Sequence, residues 1–190
     1  MATFKPCTAA LAANLAGDCS NPRVKGYEQL GLIFNREDVD WTGITYDEAN
    51  ARIVKTFKLK TDKKGFVIYN QRNNPLPFDG TQTSYNSDDD AYDKTVQFYF
   101  EGIGGGASLN SVEPLKGGDF VVLLQRKDHR GDGSFQFIGL SGGLKATAQV
   151  QDESTGYWLM TMTCQEPTAE TAFFSADYTT TKTAFDALVP

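Results

Sequence analysis

Between residues 120 and 164 four short runs follow one another: "FVVLL", "SFQFIGL", "LKATAQV" and "YWLMTMT". Each is set off by a Gly- or Asp-rich turn such as "RKDHRGDG". Strands at this spacing, reversed by short polar turns, are the pattern of an all-β sandwich or barrel. The first run is apolar without interruption, as expected of a central strand covered on both faces. The last alternates, with Trp158, Met160 and Met162 on one side and Tyr157, Leu159, Thr161 and Thr163 on the other. We assign the Trp158 side to the sandwich core. The opposite side is expected to be half exposed and free to meet a neighbour.

The first half of the chain extends the β pattern. A strand is predicted over 27–34, and "KTVQFYFEG" places Val96, Phe98 and Phe100 on one face. "RIVKTFKLK", the turn "TDKKG" and "FVIYN" together read as a β-hairpin, with Ile53, Phe57 and Leu59 on one face and Val54 and Thr56 on the other. A long polar loop fills 71–93. Ser108 is placed to cap a short helix over about 108–116 carrying Leu109, Val112 and Leu115, cut short by Pro114 and Gly117. The tail "DYTTTKTAFDALVP" predicts a short helix capped by Asp177, with its end outside the core.

With 190 residues the chain suits one substantial domain. The expected fold class is mainly β: a single β-sandwich or barrel-like domain with one short flanking helix and extended N- and C-terminal segments. The expected division is an N-terminal arm at 1–23, the β-sandwich domain at 24–176 and a C-terminal segment at 177–190.

Charge narrows the function classes. Asp and Glu number 24 against 18 Lys and Arg, a net charge of −6. That argues against a general nucleic-acid binder, which needs surplus cations to displace counterions from phosphate. No apolar run approaches the length of a transmembrane helix. "MATFKPCTAALAANLAGDC" imitates a signal peptide only faintly, with Pro6 at the entrance and Asn14 inside its apolar stretch. Cys7, Cys19 and Cys164 make an odd count. They read as reduced thiols, with a Cys7–Cys19 bridge left open.

No stretch declares catalysis. His129 is the single histidine and lies in a charged turn, where a solvent-facing role is expected. "GIGGGAS" lacks the Lys-Ser or Lys-Thr of a P-loop, and "NSDDDAYD" lacks the spacing of a calcium loop. There is no GxSxG elbow. No catalytic, cofactor-binding or metal-ligating residue is assigned, no cofactor is expected, and an enzyme is not expected.

Two stretches carry a resemblance. "CTAALAANLAGDCSNPRVKGYEQLGLIFNREDVDW" has an early Cys, a Leu/Gly segment, a second Cys after Asp, then a Gly and a strand. "FVVLLQRKDHRGDGSFQFIGLSGGLKATAQVQDESTGYWLMTMTCQEP" has an apolar strand, a hairpin, the "GLSGGLKAT" turn and a closing Glu166–Pro167. Together they resemble virion structural proteins of Bacteroidetes-infecting phages, of a tail-tube-like family. Residues 71–115 match this pattern less well.

The resemblance implies a β-sandwich subunit that packs into stacked, usually hexameric rings through which the genome passes. The implied partners are further copies of the chain, other virion proteins and DNA in transit without specific binding, with no membrane. The implied location is the virion, assembled in the host cytoplasm. An acidic balance suits such a lumen, because fixed negative charge keeps phosphates from adhering. Lys58, Lys60, Lys63 and Lys64, with Asp88, Asp89 and Asp90, are the candidate assembly surfaces, where complementary charge would set register. Two other readings stand beside this one: a head decoration, capsid-stabilising or connector protein, and a carbohydrate- or cell-surface-binding module using loop aromatics such as Trp41.

Overall fold

"FVVLL" lies inside a seven-stranded sheet, covered on both faces as the sequence predicts. The computed structural model describes residues 23–69, 76–100, 106, 108–152, 154 and 156–190; the arm at 1–22, with Cys7 and Cys19, lies outside the described residues. The strands in chain order are β1 (Tyr27–Asn35), β2 (Thr45–Tyr46), β3 (Ile53–Thr56), β4 (Phe66–Tyr69), β5 (Gln82–Asn86), β6 (Ala91–Phe100), β7 (Phe120–Arg126), β8 (Phe135–Ile138), β9 (Lys145–Asp152), β10 (Tyr157–Glu166) and β11 (Thr171–Phe173). Helix α1 (Tyr178–Asp186) follows. They form two sheets, ordered β2-β3-β11-β8-β7-β1-β4 and β5-β6-β10-β9. Among the described residues only the β3–β11 pair is parallel. The chain is mainly β, a sandwich-like single domain.

Alternation along β7 sorts its side chains between two cores. Val121 and Leu123 pack with Phe34, Phe135, Phe137 and Phe185 on one face of the large sheet. Val122 and Leu124 pack with Val96, Phe98, Met160 and Met162 between the two sheets. Each such side chain, fully withdrawn from water, contributes about 1.5–3 kcal/mol. Met160 and Met162 are buried, and Trp158 packs partly buried against them. The Trp158 side of "YWLMTMT" is therefore sandwich core, and Tyr157 and Leu159 on the other side are half-buried.

The C-terminal helix forms as expected, with the Asp177 carboxylate accepting from the Thr180 backbone N–H at 2.7 Å. Its burial is a correction. Tyr178, Thr181, Phe185 and Leu188 recur at helical spacing, so one face lies on the large sheet: Phe185 is fully buried, 5.3 Å from the Phe135 ring. Tyr178 also stacks on His129, ring centroids 4.5 Å apart. That histidine is exposed, as the sequence predicts, and the inner side of its ring props the start of the helix.

The predicted hairpin does not form. β3 pairs with β2 and β11, while β4 pairs with β1 on the far side of the sheet. The local turn exists, with Lys63 N–H donating to Lys60 O and Asp62 at φ +62°. Its flanks are drawn apart by deeper partners. Val54, not Ile53, is fully buried, and beyond Thr56 the chain leaves the sheet so that Phe57 wedges between Phe34 and Phe137, at 5.1 and 4.8 Å. Two further stretches differ from expectation. The interval 71–93 contains strand β5 and the first residues of β6, and the described part of 108–116 is a π turn (Ser108–Val112) running into a 3-10 turn (Glu113–Leu115).

Candidate assembly surface

Edge strands decide where a β sandwich can accept another chain, because each carries a row of unpaired backbone N–H and C=O groups. Four strands end the two sheets. β2 is two residues long. β5, "QTSYN", and β9, "KATAQVQD", are largely polar. β4, "FVIY", is not: Phe66 is 56% exposed, Val67 39% and Tyr69 53%, and among the described residues the strand pairs with β1 alone.

The register explains this exposure. Gly31 lies opposite Ile68 and Ile33 opposite Phe66, so Ile68 turns into the space between the sheets and is buried. Phe66 points the same way but lies at the corner of the sandwich, over an apolar groove of about 570 Å³. Phe98 and Phe100 of β6 line it, with Val112 and Leu115 from the turn at 108–115 and Lys64 beside β4. Tyr99 lines the groove as well and continues the apolar surface onto the outer face of the small sheet. There it meets Tyr157 edge-on at 4.8 Å, where β6, β10 and β9 set Tyr99, Leu159 and Val150 side by side. Val150 is 51% exposed.

The charged residues singled out from the sequence fall into two separate groups on different sheets. Lys60 and Lys63 turn back on the 3-10 turn after β1, Lys60 Nζ donating to Glu37 O at 2.6 Å and Lys63 reaching Asp38 at 3.0 Å. The Asn35 amide and Lys63 hold the Asp38 carboxyl below its ordinary range. Lys58 and Lys64 are exposed, Lys64 next to the β4 groove. Asp88, Asp89 and Asp90 form the tight turn of the β5–β6 hairpin. The Asp88 N–H donates to Asn86 Oδ1, Asp89 accepts from Asn86 and Gln165, and Asp90 accepts from the Tyr85 hydroxyl at 2.9 Å. That last bond raises the Tyr85 pKa, because it opposes ionisation beside a carboxylate. Most of these charges thus have partners within the fold. Of the seven, Lys64 alone touches the apolar groove.

Reading by charge passes over Phe66, Val67 and Tyr69. The signal for them is present: "FVIYN" is apolar on both sides of a strand, yet its own turn offers it no partner. No group of His, Cys, Asp and Glu able to hold a metal occurs among the described residues. No described helix is long and apolar enough to cross a membrane.

No family model, curated protein or solved structure matches the chain.

Proposed function

We propose that this chain is a non-enzymatic, self-assembling virion protein, a tail tube subunit whose copies join into stacked rings for genome passage. The observation that carries the reading is the open β4 edge. Among the described residues, one of the four edge strands is apolar with its outer side open, and it borders an apolar groove, while the other edges are short or polar. Natural β proteins blunt edges they do not use, so an apolar edge left open marks a surface awaiting a strand or a neighbour. The resemblance of the two quoted stretches to phage virion proteins supplies the setting, and the net charge of −6 suits a conduit that DNA must not adhere to. The partners are other copies, other virion proteins and DNA in transit; assembly takes place in the host cytoplasm.

Negative-stain electron microscopy of the purified chain across a concentration series, with light scattering on the same samples, tests the reading. Rings or tubes with a central hole are expected. A chain that stays monomeric throughout and binds only preformed capsids would move the assignment to a head decoration protein.

A further inference from the structure

A second concavity adjoins the β4 groove, sharing Asn35, Pro114 and Phe120 with it, but has a different chemistry. Its volume is about 570 Å³, and Arg36, Glu37, Trp41, Lys60, Gly117 and Asp119 are among its walls. Trp41 is 42% exposed, and the Arg36 guanidinium lies over its ring at 4.8 Å from the centroid. A cation so placed holds the indole in position. Arg36 is itself anchored, its Nη2 donating to Ser141 O at 3.0 Å and its backbone N–H to Asp119 O at 2.9 Å. Arg36 Nε is buried without a hydrogen-bond partner among the described residues. Lys60, which also lines the cleft, has its Nζ fixed by Glu37 O at 2.6 Å. Gly117, at φ +81°, has nothing within 4 Å of where a Cβ would stand, so bare backbone borders open space there.

The charges lining this cleft cancel, Arg36 and Lys60 against Glu37 and Asp119. A free phosphate or carboxylate would therefore meet as much repulsion as attraction. A neutral molecule with many hydroxyls suits it better, because each hydroxyl donates and accepts, and the apolar face of a pyranose ring can lie on an indole. We infer that the Trp41 cleft is a binding site for a neutral saccharide. The groups are fixed before any ligand arrives, which limits the ordering that binding requires. Arg36, Trp41 and Lys60 line this cleft and not the β4 groove, so binding here is read separately from assembly at β4.

Saturation-transfer difference NMR on the full chain tests this, with methyl glucoside, methyl galactoside and cellotriose as neutral probes and glucuronate and inorganic phosphate as charged ones. A neutral probe is expected to bind with a dissociation constant on the order of 1 mM. Trp41→Ala should abolish the transfer and Trp41→Phe should keep part of it, both with an unchanged far-UV circular dichroism spectrum and melting temperature. The inference fails if no neutral probe shows transfer at about 20 mM, if only the charged probes bind, or if Trp41→Ala binds as the wild type does.

Discussion

Lys94 of β6 and Glu166 of β10 form an ion pair in which neither side chain reaches solvent. Glu166 also accepts the Ser141 backbone N–H at 2.9 Å through its second oxygen, so one carboxylate joins the small sheet to the loop after β8. Two charges taken out of water lose solvation that their mutual attraction only partly restores, whereas one left alone restores none. Lys94→Met or Glu166→Leu alone should lower unfolding stability by about 3–5 kcal/mol, and the double variant should regain most of that loss. Urea titrations of the four proteins check this. If the losses simply add, the two residues do not act as a pair.

Acid should weaken the fold over a defined window. Asn35 and Lys63 hold Asp38 below the ordinary 3.8, Arg130 holds Asp128 down at about 2, and backbone N–H groups at the start of α1 lower Asp177. A carboxylate that is more acidic when folded favours the native state fully above its unfolded value. It loses that contribution as the pH falls through its folded value. Stability should thus be level above pH 3.8 and drop between there and about pH 2. Asp128→Asn should make that drop shallower. Urea midpoints across this range decide the point, and an identical slope in the variant would count against it.

How much of this was legible beforehand depended on how local each signal was. Alternation in "YWLMTMT" and continuity in "FVVLL" report burial directly, because a strand's side chains point to the face its neighbours cover. Both agree with the structure through Met160, Met162, Val122 and Leu123. The "TDKKG" turn misled because turn chemistry says that the chain reverses there, not which strands then pair. Val54 found β11 and Ile68 found β1, partners separated by more than thirty residues in each case. β5 was hidden because an edge strand of polar residues, four of them exposed, has the composition of a loop. Trp41 reads from the sequence as an aromatic in a loop, but its cleft depends on Asp119 and Ser141, which only the fold brings near Arg36.

The Cys164 thiol should be inert in the folded protein. Burial, and then the neighbouring Glu166 carboxylate, push its pKa up to about 12 from an ordinary 9.0. Alkylation proceeds through the thiolate, and this shift makes the thiolate about a thousandfold scarcer near pH 8. Mass spectrometry after brief iodoacetamide treatment should find Cys164 unmodified in the native protein and modified in urea. Glu166→Gln, which removes the nearby negative charge and leaves Lys94, should lower the thiol pKa and speed the reaction. Cys164 is half-buried, and fast native alkylation of the wild type would contradict the raised thiol pKa.

The β4 edge offers the sharpest separation between folding and assembly. Val67 is 39% exposed, so an ammonium on a flexible stem can reach water there with little disturbance to the core. Lysine on an edge strand deters pairing, because a strand docking alongside would have to desolvate the charge. Val67→Lys should therefore keep its urea midpoint, with a stability change within about 0.5 kcal/mol, and lose ring or tube formation. Gln82→Lys makes the same change on the polar β5 edge and should assemble normally. Phe66→Ser, which removes the ring over the groove without adding charge, should weaken assembly less than Val67→Lys if backbone pairing dominates and more if the groove does. Light scattering and negative-stain images of the three variants beside the wild type read all of these outcomes. Unimpaired assembly of both Val67→Lys and Phe66→Ser would remove β4 from the interface and leave Tyr157, Leu159 and Val150 on the outer sheet as the surface to alter next.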